Sequence, residues 1–130
     1  RTSKQVIVMR KDLNMRKGKM VAQGAHASMK AVLDSMKFMS KENSMILKFN
    51  NNSAMQDWIG GRFTKVCVSV DSEAELLEIF NKAKAAKLTS ALIIDAGATE
   101  FNGVPTKTCC AIGPAWSDEI DNITGHLKLL

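Results

Sequence analysis

Apolar and polar positions along the chain predict strands that alternate with helices. Short apolar, β-branched runs bounded by polar residues are typical of buried strands, and they occur at residues 4–10, 62–70, 89–95 and 106–113. Apolar positions at helical spacing predict two long helices at residues 17–39 and 72–87, and two short ones at residues 53–61 and from Ser117 onward. Residues 40–50 are polar and mixed, which predicts a loop or a broken helix end.

This order of elements predicts an α/β fold. Strands that alternate with helices are joined by right-handed crossovers and build a largely parallel sheet. The third and fourth strands are separated by only about ten residues, too few for a helical crossover, so the fourth strand is predicted to be antiparallel and to end at Pro114. We therefore expect one domain over residues 1–130, with a mixed four-stranded sheet, mostly parallel with the last strand antiparallel, and helices on both faces.

The first long helix is predicted to bury an apolar stripe that includes Val21, Ala25 and Met29. Small residues such as Gly24 and Ala27 keep one part of this helix narrow, which lets a sheet or another backbone approach closely. Four methionines are interpreted as adaptable core rather than as a special site: Met29, Met36, Met39 and Met45.

Positive charge is concentrated in the connection between the first strand and the first helix. Residues 10–19 contain five Lys or Arg and one Asp, a net charge of +4, whereas the whole chain carries +5. The carboxyl ends of strands and the N-terminus of a following helix are places where anions bind. The connection is therefore suited to an anion, although on this stretch alone a solvated basic loop explains it equally well. The pI of 9.2 favours a nucleic-acid partner only weakly.

A second polar cluster follows the third strand and contains Asp95, Thr99, Thr106 and Thr108. If the first and third strands are parallel, both clusters lie at one sheet edge, and Asp95 faces Lys17 or Lys19. A Lys–Asp pair with hydroxyl groups can activate water or hold a phosphate or ester oxygen. Purely structural roles stay open, because Asp95 can be a turn residue and the threonines can be ordinary strand residues.

Several classes of site and protein are disfavoured by the sequence. Two histidines, His26 and His126, lie far apart without a carboxylate cluster, so no metal site is predicted. Glycine-rich phosphate loops are missing, and no apolar run approaches the roughly 20 residues that span a bilayer. The three cysteines, all in apolar strand-like runs, are interpreted as buried, reduced thiols in a cytoplasmic protein: Cys67, Cys109 and Cys110. Because the sequence begins at Arg1 rather than Met, an upstream anchor or targeting segment is left open.

Five segments in order closely resemble the type 2 peptidyl-tRNA hydrolases, the class typical of archaea and eukaryotes. They are KQVIVMRKDLNMRKGKMVAQGAHA (4–27), TKVCVSV (64–70), LIIDAGATE (92–100), TCCAIGP (108–114) and IDNITGHLKLL (120–130). The resemblance implies a compact mixed α/β fold, a homodimer, and cleavage of the ester that joins a peptide to the 3′ end of tRNA, which recycles tRNA dropped by ribosomes. It implies no metal or organic cofactor, and the lack of a long apolar run predicts no membrane contact of the visible chain.

The resemblance also assigns residues. The family's functional positions fall on five residues of this chain: Lys17, His26, Asp95, Thr99 and Thr108. Lys19 is expected to contact a phosphate, and the tRNA backbone is expected to lie on a basic surface formed by Arg10, Lys11, Arg16 and Lys19. Two departures from the family matter, namely Arg16 where a small residue is common, and a longer 101–107 loop that makes Thr108 rather than Thr106 an alignment choice.

As a hypothesis, Asp95 orients or deprotonates the water, directly or through Thr99, and Lys17 stabilises the developing negative charge or holds the terminal phosphate. A buried structural role for His26 is at least as plausible from the residues alone. Three other functions compete: a non-catalytic RNA-binding module, a protein-interaction role, and a flavodoxin-like nucleotide enzyme. The polar set disfavours the first, and the missing phosphate loop disfavours the third.

Overall fold

A computed structural model of the chain describes residues 1–49, 53–98 and 100–130, and gives the side chain of residue 53 no description. The elements are, in chain order, β1 (Ser3–Arg10), α1 (Lys17–Asp34), β2 (Met36–Lys41), β3 (Ser44–Phe49), α2 (Ser53–Gly60), β4 (Lys65–Val70), α3 (Glu73–Ala85), β5 (Ser90–Asp95), β6 (Thr106–Trp116) and α4 (Ser117–Thr124). None of the described helices is both long and apolar enough to cross a membrane.

The main sheet has the strand order β4-β1-β6-β5. β1 is parallel to β4, and β6 is antiparallel to both of its neighbours, β1 and β5. Three strands therefore run one way and the last strand of the chain runs the other, which confirms the predicted mixed sheet. Because β1 and β5 share a direction, their carboxyl ends meet at one edge of the sheet, and α1 begins at that edge.

Alternate residues of β1 supply the two cores, one on each face of the sheet. Val6 and Val8 are buried against Leu76 of α3 and Ile120 of α4. Ile7 and Met9 point to the opposite face, where the described core includes Ala27 and Ala31 of α1. The continuous apolar run in β1 is thus explained by burial on both faces, and the predicted helices on both faces are confirmed.

The buried face of α1 differs from the predicted one. Its buried residues are Gln23, Gly24, Ala27 and Ala31, whereas Val21 and Met29 of the predicted apolar stripe are 72% and 60% exposed. The small residues let the helix lie close to the sheet: Ala27 and Ala31 are completely buried, and a Cβ on Gly24 would already be in van der Waals contact with the side chain of Ile7, at 3.7 Å. The helix also ends at Asp34 rather than near residue 39.

Residues 36–49, predicted as a helix end and a loop, form the β2–β3 hairpin instead, and residue 50 of that stretch lies outside the described residues. Lys41 pairs with Ser44 across a two-residue turn, and Glu42 in that turn has a positive φ of 51°. Side chains of the hairpin are largely exposed, so Met39 and Met45 are surface residues, not core. The sequence fits a pair of strands better than a helix. Apolar residues recur at every second position on both strands, and the side chains of a strand point to alternate sides.

β6 continues through Pro114 to Trp116, so the prediction that Pro114 ends the strand is wrong. The register between β1 and β6 shifts between Lys4 and Val6, and an irregularity of this kind accommodates proline within a strand. Gly113 beside it has a φ of +100°, and a Cβ there would lie 2.6 Å from the carbonyl oxygen of Lys4.

The prediction of buried thiols holds for two of the three cysteines. Cys109 and Cys110 are buried in the central strand β6, whereas Cys67 is exposed on the edge strand β4. Burial raises the pKa of the Cys109 thiol to about 11, so this group stays protonated at neutral pH.

We expect Ala27→Leu to destabilise the protein by about 1–3 kcal/mol, because the larger side chain overpacks the contact between α1 and the sheet. Equilibrium urea unfolding measures the effect. Ala22→Leu, at an exposed position of the same helix, is the matched control and should change the free energy of unfolding by less than about 0.5 kcal/mol. Equal destabilisation by both variants would contradict the close packing described here.

Candidate functional site

Four polar side chains from three elements meet at the sheet edge where β1 and β5 end. Asp95 is the last residue of β5, Thr108 lies near the start of β6, and Lys19 and Gln23 are one turn apart in α1. These four residues are called the Asp95 cluster below. Helical spacing places Lys19 and Gln23 on one side of α1, and the narrow helix face brings that side against the sheet.

The carboxylate of Asp95 accepts three hydrogen bonds. Lys19 Nζ lies 2.9 Å from Oδ1, and Gln23 Nε2 donates to the same oxygen at 3.3 Å. The backbone N–H of Gly97 donates to Oδ2 at 2.9 Å. Both charged side chains of the ion pair are 14% exposed, so the pair is shielded from solvent yet open on one side. A charge-assisted pair of this kind is stronger than a surface one.

Thr108 determines how Gln23 is oriented. Its Oγ1 donates a 2.6 Å hydrogen bond to Gln23 Oε1, and both side chains are buried, Thr108 completely and Gln23 to within 3%. Because the amide oxygen is occupied by this hydroxyl, the amide N–H₂ is directed at Asp95. The result is a continuous chain of hydrogen bonds from Thr108 through Gln23 to Asp95 and Lys19.

The loop after β5 holds the carboxylate in place and depends on glycine. Gly97 has a φ of +82°, and a Cβ at this position would lie 2.3 Å from the carbonyl oxygen of Val104. Gly103 N donates to Gly97 O at 2.8 Å, which closes the loop. Phe101 of the same loop lies under Lys19, with Nζ 5.7 Å from the ring centroid. The loop therefore positions both partners of the ion pair.

The Lys19 ammonium, together with the Gly97 N–H and the Gln23 amide, holds the pKa of Asp95 below its ordinary value, although partial burial opposes the shift. Asp95 is consequently ionised at neutral pH. A carboxylate with a lowered pKa is a weak general base, so this geometry favours orientation of a water molecule and electrostatic stabilisation over proton abstraction.

The other residues predicted to be catalytic lie apart from this cluster or outside the described residues. Lys17, the first residue of α1, lines an apolar groove that also contains Val21 and Met29. His26 is exposed one turn beyond Gln23, and its imidazole forms no hydrogen bond with a described residue. Thr99 lies outside the described residues. Of the two lysines proposed to face Asp95, the structure therefore brings Lys19, not Lys17, into contact.

The basic residues predicted to bind tRNA differ in accessibility. Lys11 is exposed, and the Arg16 side chain is 91% exposed with Nε 3.8 Å from Glu100 Oε1. The Arg10 side chain is only 11% exposed, and its Nη2 lies 2.6 Å from Asp12 Oδ2. Its Nη1 donates a hydrogen bond to the carbonyl oxygen of Lys107 at 3.0 Å. Lys11 and Arg16 are thus available to an anion, whereas Arg10 is engaged within the protein.

The two candidate threonines are separated by their hydrogen bonds. Thr108 belongs to the Asp95 cluster, whereas the hydroxyl of Thr106 donates to Val104 O in its own loop. Sequence reasoning missed Gln23. Its only signal was a polar residue within a run of small residues, AQGAHA, on a helix that packs against the sheet. Within residues 1–49, 53–98 and 100–130, no group of three or more His, Cys, Asp or Glu side chains is arranged to hold a metal ion.

Comparison with known proteins gives consistent matches. The profile of the family described as peptidyl-tRNA hydrolase PTH2 matches residues 3–130. A peptidyl-tRNA hydrolase of Methanocaldococcus jannaschii is 46% identical over 127 residues, which cover 98% of this chain and 99% of that protein. One from Metallosphaera sedula is 40% identical, with the same coverage. A probable peptidyl-tRNA hydrolase 2 of Drosophila melanogaster is 37% identical over 98% of this chain and 61% of its own length.

We expect Lys19→Met to raise the pKa of Asp95, because its strongest hydrogen-bond donor is removed. Carboxyl-carbon NMR titration measures the shift directly. Lys17→Met, two residues away but lining the groove, is the control and should leave this pKa nearly unchanged.

The lowered pKa of Asp95 should also make the free energy of unfolding depend on pH. Because folding lowers the pKa of Asp95, its contribution to stability is present above the ordinary value of about 3.9 and is lost as pH falls through the lowered folded value. The destabilisation caused by Lys19→Met should therefore be largest near neutral pH and shrink in acid. A pH-independent difference would contradict the ion pair.

Proposed function

The chain belongs to the peptidyl-tRNA hydrolase PTH2 family and hydrolyses the ester bond between peptide and tRNA, and we propose that the Asp95 cluster is where this reaction takes place. The observation that carries the proposal is the chain of hydrogen bonds from Thr108 to Lys19, which is partly open at the sheet edge. A polar cluster with a purely structural role does not require an ionised carboxylate and an ammonium group at a position that solvent can reach.

The chemistry needs few groups because an ester is already activated. Water attacks the carbonyl carbon, the carbonyl oxygen becomes an oxyanion, and the bond to the ribose oxygen breaks while that oxygen takes a proton. In our proposal Asp95 accepts a hydrogen bond from the attacking water and orients it. Lys19 keeps the carboxylate ionised, and the positive charge of its ammonium group stabilises the developing negative charge. The proton lost by the water passes to the leaving ribose oxygen.

The remaining predicted residues fit around this centre as parts of the proposal. Lys17, at the N-terminal end of α1, would contact the terminal phosphate, where the helix end also favours an anion. His26, exposed one turn beyond Gln23, and Thr99 are retained as candidate catalytic residues on the resemblance. Lys11 and Arg16 would carry backbone phosphates, whereas Arg10 would first have to release Asp12.

We expect Asp95→Asn to lower kcat for peptidyl-tRNA about 100- to 1,000-fold, because the negative charge that orients water and Lys19 is lost. Release of tRNA from a peptidyl-tRNA with an N-blocked amino acid measures the rate, and thermal unfolding tests whether the fold survives. Lys17→Ala in the same assay should mainly raise KM. Full activity of Asp95→Asn would remove Asp95 from the mechanism.

A matched pair of threonines controls this experiment. Thr108→Val removes the hydroxyl that orients Gln23 and should reduce kcat, whereas Thr106→Val removes a hydroxyl bonded only within its own loop. Both changes exchange a hydroxyl for a methyl group of similar volume in the same strand. Equal kcat values for the two variants would show that the orientation of Gln23 has no part in the reaction.

We also propose that the protein is a homodimer and acts in the cytoplasm, where translation supplies its substrate. The support for a dimer is an exposed apolar surface formed by α1, α2 and the C-terminus, called the α1–α2 surface. Its members line one groove: Val21, Met29, Ile59, Phe63 and Leu130. They are 42–72% exposed, and contiguous apolar surface of this kind marks an interaction site.

We expect Val21→Glu to weaken the dimer at least about 100-fold, because a charge without a partner would be buried in the interface. Sedimentation equilibrium at micromolar concentration distinguishes monomer from dimer. Val104→Glu introduces the same charge at a residue that is 59% exposed outside this surface and should leave the dimer intact. A monomeric wild-type protein, or a dimer unaffected by Val21→Glu, would contradict the proposal.

A further inference from the structure

The β2–β3 hairpin stands apart from the rest of the fold. Its two strands pair only with each other and form a sheet separate from the main one. Every described residue from Lys37 to Lys48 is exposed. A lone two-stranded hairpin is marginally stable in water, and this one contributes little to the described cores. Core packing therefore does not explain the side chains of this hairpin, and contact with a binding partner explains them better.

Strand register divides the hairpin into two unlike faces. Residues directly opposite each other share a face, so the pairs Lys37–Lys48, Met39–Ile46 and Lys41–Ser44 lie on one side. The pairs on the other side are Met36–Phe49, Phe38–Leu47 and Ser40–Met45. One face thus presents three lysines, and we call it the basic face. The opposite face is almost entirely apolar.

The basic face has no counter-charge of its own. Lys37 and Lys48 are directly opposite, an arrangement that destabilises a hairpin because like charges repel. Neither these two residues nor Lys41 forms an ion pair with any described carboxylate, and the only acidic residue of the hairpin is Glu42 in the turn. A polyanion across this face would remove the repulsion, whereas an uncharged partner would leave it in place.

The hairpin also lies within reach of a bound tRNA. It follows α1 after a single residue, Ser35, and α1 begins at the Asp95 cluster. The 18 residues of α1 span about 27 Å at 1.5 Å per residue. A tRNA whose 3′ end lies at the cluster extends well beyond this distance through its acceptor arm, so its backbone can reach the hairpin while the ester is at the site.

We propose that the basic face of the β2–β3 hairpin is a second binding surface for the tRNA phosphate backbone, remote from the reaction. The inference rests on the proposed function, since it assumes that the ester lies at the Asp95 cluster. A membrane surface explains the hairpin less well. A membrane would engage the apolar face, whereas the three lysines without counter-charge on the other face are matched by the polyanionic tRNA of the proposed function.

The test compares Lys37→Gln/Lys41→Gln/Lys48→Gln with a control of equal charge change, Lys82→Gln/Lys87→Gln/Lys128→Gln. The three control lysines are also exposed, and they lie outside the hairpin and the Asp95 cluster. Each enzyme is assayed on full-length peptidyl-tRNA and on a CCA trinucleotide that carries the same N-blocked aminoacyl ester. For full-length peptidyl-tRNA, KM of the hairpin variant should be about tenfold higher than that of wild type, and kcat should be unchanged. For the trinucleotide, both constants should equal those of wild type. The control should match wild type on both substrates.

Binding of uncharged tRNA, followed by fluorescence anisotropy over a range of salt, tests the proposal without the reaction. If all three lysines contact phosphates, the slope of log Kd against log salt should fall by about 2–3 in the hairpin variant, because each phosphate contact releases close to one counterion. This readout keeps the proposal testable if neither substrate is cleaved, an outcome that would contradict the proposed function alone.

A Lys→Arg triple variant at the same positions should retain wild-type tRNA affinity, which separates loss of charge from loss of the hairpin. Unchanged KM and salt slope in the Gln variant would overturn the proposal. So would wild-type binding to vesicles of phosphatidylcholine and phosphatidylserine that the Gln variant loses while its affinity for tRNA stays the same.

Discussion

The close approach of α1 to the sheet is the constraint on which the site depends. Gly24, Ala27 and Ala31 form the contact face, and larger side chains there would hold the helix farther from β1 and β6. At the observed separation Gln23 reaches Thr108 and Lys19 reaches Asp95, although these two partners lie on different strands. Packing of small residues thus sets hydrogen-bond distances between groups that are 72–85 positions apart in sequence.

Because this polar network is buried, each of its groups needs a hydrogen-bond partner within the protein. Gln23 and Thr108 are almost completely shielded from water, so each must satisfy the other, and a half-satisfied network would be costly. Among the described residues no buried side-chain polar atom is left without a partner. A satisfied network has one orientation of the amide and one position of the carboxylate. The Asp95 cluster is therefore held in one arrangement before any substrate arrives, which is what the proposed electrostatic catalysis requires.

Sequence patterns predicted the mixed sheet, the shared edge of β1 and β5, and the meeting of Asp95 with a lysine of residues 17–19. They failed where periodicity is ambiguous. A helical period shows that α1 has two faces but not which one meets the sheet, and the larger apolar residues were wrongly placed inside. Gln23 was missed for the same reason, because its role depends on the narrow face being buried. The β2–β3 hairpin was missed because its lysines and serines make a two-faced strand pattern resemble a polar loop.

The charges at the ends of the helices distinguish structural from functional positions. α3 follows the helix dipole, with Glu73 and Glu75 in its first turn and Lys82 and Lys84 in its last. α1 does the opposite, because its first turn contains Lys17 and Lys19 and no acidic residue. Cations at a helix N-terminus oppose the dipole, so this arrangement does not stabilise the isolated helix. It makes sense when an anion completes the charge balance, first Asp95 beside Lys19 and then, in our proposal, the phosphates of the substrate. Departures from a local rule are expected where function imposes them, and in this chain the departure lies at the edge of the sheet that holds the Asp95 cluster.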